Sequence, residues 1–282
     1  MFRPKVPANI RIHQSDYPKL SDIPEETFER IKAGFAAQRQ EKTPLVSVNI
    51  IAWNEESNIL RNLSSLSAIR SKYPVEYVYV NNNSFDQTAE IIRRCGISPI
   101  FEIKQGYGFA RQTALENSHG TYILTGDADT IYPPTWIDTM MKPILDKKSF
   151  SCSGTYSFLP AKGQSRLRYT FYEFFRDIIH SLRTINRPYL AVGGVNFCFP
   201  RQEALKIGFI KSNSRSEDGT MALAMLKRGK LKRVKSIKAA AWTITRSVER
   251  SGTFFEAIKS RIIKEFKRVS IYFYKHEQNK NR

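Results

Sequence analysis

The chain has 282 residues, with 45 Lys and Arg against 26 Asp and Glu, a formal net charge of +19. At 41% hydrophobic and 25% charged residues it is composed like a globular protein. That excludes a wholly disordered chain, and the length allows one large or two small domains around a sizeable core.

The first 20 residues are polar and punctuated by proline, which predicts an extended arm. SDIPEETFERIKAGFAAQRQ then reads as a helix, with Ser21 or Asp22 as cap, Pro24 in the first turn and Glu25 and Glu26 suited to the helix dipole. From Leu45 the pattern changes. LVSVNIIAW (45–53) is the short, apolar, β-branched run of a buried parallel strand. Helical spacing over 56–69 follows, then a strand at 75–80, a polar turn NNNSFDQT, a helix through Ile91–Ile92 and a strand near 97–103. A helix over 107–118 and a strand at 121–126 complete the first half. This alternation predicts an α/β fold built on an open, mostly parallel sheet with right-handed crossovers and flanking helices. Ligands in such sheets bind beyond the carboxyl ends of the strands. The polar loops there are Asn54–Glu55, Asn81–Ser84 and Asp127–Thr130.

The second half is less regular. Residues 165–183 form an amphipathic helix whose stripe of Leu167, Phe171, Phe174, Ile178 and Leu182 is expected to pack in the core. A strand pair is expected around 189–199, holding Gly193–Gly194, and a further helix from Glu217–Asp218 to Gly229. From Phe254 a long helix places Phe255, Ile258, Ile262, Phe266, Val269 and Phe273 on one face, with Lys259, Lys264, Lys267 and Arg268 mostly elsewhere.

Cys95, Cys152 and Cys198 are too few and too scattered for a disulfide framework or a zinc site, so a reducing compartment is the default. No window reaches the roughly 18 consecutive apolar residues of a spanning helix. The N-terminus lacks the apolar core of a signal peptide. A cytoplasmic chain is expected, at most peripheral on the inner face of the cell membrane.

Several residues could carry chemistry. Asp127 and Asp129 follow an apolar strand, and both carboxylates can turn to one side at the ligand edge of the sheet. They suit Mg²⁺ or Mn²⁺ bridging a diphosphate; the alternative is a pair of solvated turn residues ahead of Pro133–Pro134. Glu217–Asp218 opens a helix and reads either as an exposed cap or as a general base. Gly106-Tyr-Gly108-Phe-Ala-Arg111 lacks the third glycine of a dinucleotide fingerprint, but its glycines allow close backbone approach and Arg111 could reach a phosphate. His13, His119, His180 and His276 are dispersed surface or core residues.

VSVNIIAWNEE (46–56), NNNSFDQTAEII (81–92), GYGFARQTALENSHGTYILTGDADT (106–130), GGVNFCFPRQEAL (193–205) and SEDGTMALAMLKRGKLKRV (216–234) occur in this order. Together they resemble the family 2 glycosyltransferases with the GT-A fold, over roughly residues 45–235. The resemblance implies a three-part chain: an N-terminal arm and helix (1–43), a catalytic domain (44–250) with a donor half (44–130) and an acceptor half (131–250), and a basic C-terminal helix and tail (251–282). It implies a UDP- or GDP-linked sugar as donor, a saccharide or lipid-linked acceptor, and inversion; without the Gln/Arg-x-x-Arg-Trp motif of processive synthases or spanning helices, a single transfer per acceptor fits better. Asp129 would hold the metal, with Asp127 on the metal or the ribose, and Asp218 would deprotonate the acceptor hydroxyl. Glu55 and Asn81, Asn82 and Asn83 would hold the nucleoside, Arg111 the donor edge, and Gly193–Gly194 the floor beneath the sugar. Ala52, Asn54, Ala128 and Glu217 would line the same donor site, and Thr243–Arg246 would contact the diphosphate.

One departure is clear: the family commonly writes Asp-Asp-x-Ser where this chain has Asn81-Asn82-Asn83-Ser84. An Asn can still accept a hydrogen bond from a base imino N–H, without the charge. That change keeps open a non-catalytic nucleotide- or anionic-lipid-binding module on this fold. A sugar-phosphate nucleotidyltransferase is the other alternative, although Trp53-Asn54-Glu55 supplies no early Gly-rich, basic loop.

The charge is unevenly spread. Residues 201–282 hold 21 basic and 7 acidic residues, +14, whereas 44–200 carry only +3. This surplus suits an acidic acceptor or an anionic membrane surface met through 254–274 better than nucleic acid.

Overall fold

The computed structural model describes residues 2–38, 43–161, 163–210 and 217–244. The expected helix at 254–274 lies outside the described residues. Seven strands form one mixed sheet, mostly parallel. Val46–Ala52 (β1) pairs in parallel with Val75–Asn81 (β2) on one side, and β2 in turn with the two-residue strand Ile100–Phe101 (β3). Two neighbours, Val75–Asn81 and Tyr122–Asp127, flank β1, so it lies inside the sheet with nearly every residue buried. That burial is what its unbroken apolar run requires.

The second three-stranded sheet involves strands that follow in the chain. Counting on in chain order, Tyr122–Asp127 is β4 and Thr130–Ile131 is β5. Ser151–Ser153 is β6, Tyr156–Phe158 is β7 and Phe197–Pro200 is β8. Leu231–Arg233 is β9 and Ala241–Thr243 is β10. The large sheet runs β3-β2-β1-β4-β8-β6-β9, with β8 antiparallel to both of its neighbours, and the small one runs β5-β10-β7.

Helices cover the sheet. Ala8–Arg11 (α1), Glu25–Ala36 (α2), Ile59–Ser67 (α3), Thr88–Arg94 (α4) and Tyr107–Glu116 (α5) belong to the first half. Trp136–Leu145 (α6), Arg166–Asn186 (α7), Arg201–Ile207 (α8) and Glu217–Leu226 (α9) belong to the second. The main core gathers Phe28, Ile31, Ile50, Leu63, Tyr79, Leu124, Tyr132 and Trp136.

Three expectations are corrected. The N-terminal arm is not extended throughout: it turns into α1 at Ala8–Arg11 and a 3-10 turn at Leu20–Asp22, with Ile10 buried, and Arg3 donates to Ser157 Oγ at 2.6 Å and Thr155 Oγ1 at 2.9 Å. Around 189–199 there is one strand, β8, preceded by two 3-10 turns at Pro188–Ala191 and Gly194–Asn196, because Pro188 fixes its φ and lacks a ladder donor. The apolar stripe of α7 is not core. Leu167, Phe171, Phe174 and Ile178 are 41–51% exposed, while Tyr169, Thr170, Glu173, Arg176 and Asp177 form the buried side. Spacing locates the apolar face of a helix but not which face meets the protein. Here, paired charges occupy the inner face. No helix among the described residues is long and apolar enough to cross a membrane.

Candidate functional site

The carboxyl ends of β1, β2 and β4 lie side by side and, with Gly194 and Asp218 of α9 joined to them through Arg111, border the candidate cleft. The loops after β1 and β2 clasp one another. Asn54 N–H donates to Ser84 Oγ (2.9 Å) and Asn54 Oδ1 accepts from Phe85 N–H (3.1 Å). Glu55 N–H donates to Thr88 Oγ1 (2.8 Å), and Glu55 Oε2 accepts from Asn58 (3.1 Å). Asn54 and Asn83 both have positive φ, 52° and 57°, a conformation that Asn tolerates better than most side chains.

The three asparagines divide their work. Asn81, 2% exposed at the end of β2, has a buried Oδ1 without a hydrogen-bond partner. Asn82 spends its side chain on the neighbouring loop: Nδ2 donates to the carbonyls of Glu102 (3.1 Å) and Lys104 (2.8 Å), and Oδ1 accepts from Gly106 N–H (2.8 Å). Asn83 is exposed. Ala52 and Ala128 are buried, each 3% exposed in the main core, so only their backbones can face the cleft.

Arg111 is the centre of the site. It is 2% exposed. Nη1 donates to Gly126 O (2.9 Å) and Nη2 to Asp127 Oδ1 (2.7 Å), while Nε stands 3.8 Å from Asp218 Oδ1. Asp218 is not a cap of its own helix. Its Oδ2 accepts from Gly194 N–H at 2.7 Å, and its Oδ1 is buried without a hydrogen-bond partner. Gly194 must be glycine for space: a Cβ there would lie 2.3 Å from Asp218 Oδ2. Gly193 precedes it in extended conformation (φ −141°, ψ 145°). Glu217, expected to be exposed, is 4% exposed.

Three carboxylates, on Asp218, Asp127 and Glu217, thus act on the Arg111 guanidinium, and Asp129 acts on Asp127. Burial pushes Asp127 up to about 6, with Arg111 pulling the other way and Asp129 and Asp218 adding to the rise. Burial likewise pushes Glu217 up to about 7, helped by the neighbouring Asp218. Like charges crowded in this way disfavour full ionisation and suit a divalent cation with hard oxygen ligands. No three His, Cys, Asp or Glu side chains among the described residues form a ready metal cage, so the fit is to an ion that takes further oxygens from its ligand.

Asp129 Oδ1 accepts from Thr130 Oγ1 and Thr243 Oγ1, both at 3.1 Å. Thr243, expected on a diphosphate, is thereby turned toward Asp129, and residues 245–246 lie outside the described residues.

Three positioning residues were not foreseen. Tyr132 O–H donates to Val195 O (2.9 Å) and its oxygen accepts from Asp127 N–H (2.9 Å), joining the two sides of the cleft. Its ring stacks on Trp136 with centroids 3.8 Å apart, and Trp136 Nε1 donates to Asn196 Oδ1 (2.9 Å). From α3, Asn62 Nδ2 donates to the carbonyls of Asp127 (3.1 Å) and Thr130 (2.8 Å). Asn62 had left a trace in the sequence: it is an amide on the same helix as Ile59, Leu63 and Leu66, and all four are buried.

The profile "Glycosyl transferase family 2" matches residues 47–208 of the chain. Among solved structures, Staphylococcus aureus TarS residues 1–349 is similar at 19% identity with a TM-score of 0.55, over 81% of this chain and 72% of that one. The Pyrobaculum calidifontis mannosyltransferase PcManGT, solved with GDP-Man and Mn²⁺, has 16% identity and a TM-score of 0.58, over 88% and 80%. Glucosyl-3-phosphoglycerate synthase from Mycobacterium tuberculosis, solved with Mn²⁺, UDP-glucose and phosphoglyceric acid, has 16% identity and a TM-score of 0.54, over 88% and 85%. Among curated proteins, none matches. The similarity in structure is one of fold: the GT-A-like mixed sheet with flanking helices.

Proposed function

Because the chain belongs to glycosyl transferase family 2, we propose that the cleft moves a sugar from a nucleoside-diphosphate sugar to an acceptor hydroxyl, once per acceptor and with inversion. One observation carries this reading. The Asp218 carboxylate is held from one side by Gly194 N–H while its other oxygen is buried and accepts no hydrogen bond, with Arg111 Nε 3.8 Å away. That is the posture of a base waiting for a proton.

The remaining roles follow from what each group touches. Asn81 Oδ1, an orphaned acceptor, takes the imino N–H of the donor's base; both uracil and guanine offer one. The backbone of the Asn54–Glu55 turn and the exposed Asn83 border the nucleoside. Asp129, with Asp127 beside it, would hold Mg²⁺ or Mn²⁺, which would supply neutralisation of the charge growing on the departing diphosphate. TarS solved with UDP and PcManGT solved with GDP-Man and Mn²⁺ support a donor and metal of these classes.

Arg111 keeps Asp127 oriented and offsets part of the carboxylate charge beside Asp218. The acceptor oxygen loses its proton to Asp218 as it bonds the anomeric carbon on the face opposite the leaving diphosphate, and the bond to the diphosphate breaks.

The test uses the slow hydrolysis of nucleotide sugars, in which water replaces the acceptor. Asp218→Asn should bind a nucleoside diphosphate with Mn²⁺ as the wild type does, and lose hydrolysis by a factor of about 10² or more, the range of general-base removal. Undiminished hydrolysis would assign the base elsewhere.

A further inference from the structure

Beside the donor cleft lies a second cavity of about 230 Å³, lined by Thr155, Tyr156, Arg176, His180, Gly193 and Arg233 among others. It shares Gly193 with the turn that presents Gly194 to Asp218, so the two sites adjoin. The reading of the donor cleft assigns it nothing.

Two buried arginines, Arg176 and Arg233, line it, and Arg3 and Arg166 belong to the same buried charge cluster. Arg3, Arg166 and Arg176 are 3%, 9% and 6% exposed, and the Arg233 side chain is 6% exposed. Two buried carboxylates among the described residues answer these four guanidiniums. Glu173 accepts from Arg166 Nη2 at 2.6 Å, and Asp177 Oδ1 accepts from both Arg176 Nη2 and Arg233 Nη2 at 3.2 Å.

The two guanidiniums that line the cavity are only partly satisfied. Arg176 Nη2 also donates to Tyr156 O at 2.6 Å, but its Nε and Nη1 have no hydrogen-bond partner, and neither has Arg233 Nε. Arg176 is also fixed in place, with its guanidinium carbon 4.0 Å from the centre of the Tyr156 ring. Burial holds Arg3 and Arg233 below the ordinary guanidinium value although Asp177 pulls both upward.

Buried charge without a counter-charge is costly, and so are buried donors without acceptors. Both are relieved by one kind of ligand. A guanidinium fork matches the oxygens of a phosphate in spacing and charge, and a phosphate monoester near neutral pH carries about the two negative charges by which these four guanidiniums exceed Glu173 and Asp177.

We propose that this cavity is an anion subsite for the acceptor. It would hold a phosphate group on the acceptor molecule through Arg176 and Arg233, and so aim that molecule's hydroxyl at Asp218. The assignment of an acceptor rests on the glycosyltransferase reading; the phosphate site itself does not.

The experiment measures binding of inorganic phosphate and glycerol 3-phosphate by calorimetry and thermal shift, with glycerol as the uncharged control. The full-length protein is first saturated with a nucleoside diphosphate and Mn²⁺. Phosphate and glycerol 3-phosphate should still bind and raise Tm, and glycerol should not. Arg233→Gln and Arg176→Gln should each weaken phosphate binding tenfold or more while leaving nucleoside diphosphate affinity unchanged, which also shows that the variants fold. Arg176→Lys, which keeps the charge but loses the fork, should fall between.

A parallel arm uses vesicles with and without phosphatidic acid. Arg233-dependent binding to phosphatidic acid alone would place the phosphate on a lipid, and binding of glycerol 3-phosphate would place it on a soluble acceptor. If neither probe binds while the nucleoside diphosphate does, or if saturation with nucleoside diphosphate abolishes phosphate binding, the subsite is refuted and the donor reading stands. If the nucleoside diphosphate with Mn²⁺ fails to bind, the donor reading falls instead.

Discussion

Replacing Gly194 by Ala tests whether the placement of Asp218 matters for chemistry. A Cβ at this position would stand 2.3 Å from Asp218 Oδ2, 2.6 Å from its Oδ1 and 2.6 Å from Arg111 Nη2, where ordinary contact begins at 3.4 Å. Gly194 is not among the residues with positive φ, so alanine suits the backbone and the perturbation is one of space. Arg111 is 2% exposed and held by Gly126 O and Asp127, so the Asp218 carboxylate is the group that must retreat, by about 1 Å. A misplacement of that size costs on the order of 10²-fold in rate, about 2.7 kcal/mol of activation free energy. The assay is release of nucleoside diphosphate from a nucleotide sugar with Mn²⁺, alongside calorimetric affinity for the diphosphate product. Turnover should fall about 10²-fold with affinity changed by less than about threefold. Gly219→Ala is the control. It lies in the same turn of α9, and a Cβ there meets nothing within 4 Å. Its turnover should stay within about twofold and its stability rise by up to about 1 kcal/mol from helix propensity. Wild-type turnover in Gly194→Ala would refute the role given to Asp218.

Other perturbations separate binding, positioning and stability. Asp129→Asn should raise the Mn²⁺ concentration needed for half-maximal hydrolysis by tenfold or more, read by metal titration, since one hard anionic ligand is lost. Tyr132→Phe leaves Asp127 N–H without its acceptor and Val195 O without its donor; a loss of about 1–3 kcal/mol in urea unfolding should accompany reduced turnover. His13, 7% exposed and bonded to Ser64 Oγ at 2.9 Å, has its pKa lowered to about 4 by burial, with Arg30 adding to the effect. The unfolded chain takes up this proton below about pH 6.5 and the folded chain only near 4, so stability should fall as pH drops through that window, by at most about 3 kcal/mol. In His13→Gln that component of the pH dependence should vanish.

Much of the first half could be read directly from the chain. The runs at 45–53, 75–80 and 121–126 become β1, β2 and β4 within a residue or two, because a strand buried on both faces leaves an unbroken apolar signature that few other structures produce. The carboxylates at 127, 129, 217 and 218 were legible too, as polar residues directly beyond such strands or at the start of a helix. What they touch was not legible. Asp127 and Asp218 are 91 positions apart in sequence and meet through Arg111 only because β1, β2 and β4 align and the turn at Gly194 folds back over them. Asn82, read as a ligand-binding residue, became a loop latch for the same reason: its partners at 102, 104 and 106 arrive only when β3 pairs with β2.

Local sequence determined where backbone hydrogen bonds would be satisfied within a segment, and therefore which segments became strands and helices. Tertiary structure alone decided which face of α7 would be inside. The apolar stripe has the helical period, yet the inner face carries Glu173, Arg176 and Asp177, because Glu173 pairs with Arg166 of the same helix, Asp177 with its neighbour Arg176 and with Arg233 from β9, and Arg3 from the N-terminal arm adds to the attraction on both carboxylates. A buried charge is tolerated only beside its counter-charge, and part of what Asp177 needs comes from Arg233, 56 positions away, which only the tertiary fold brings to it.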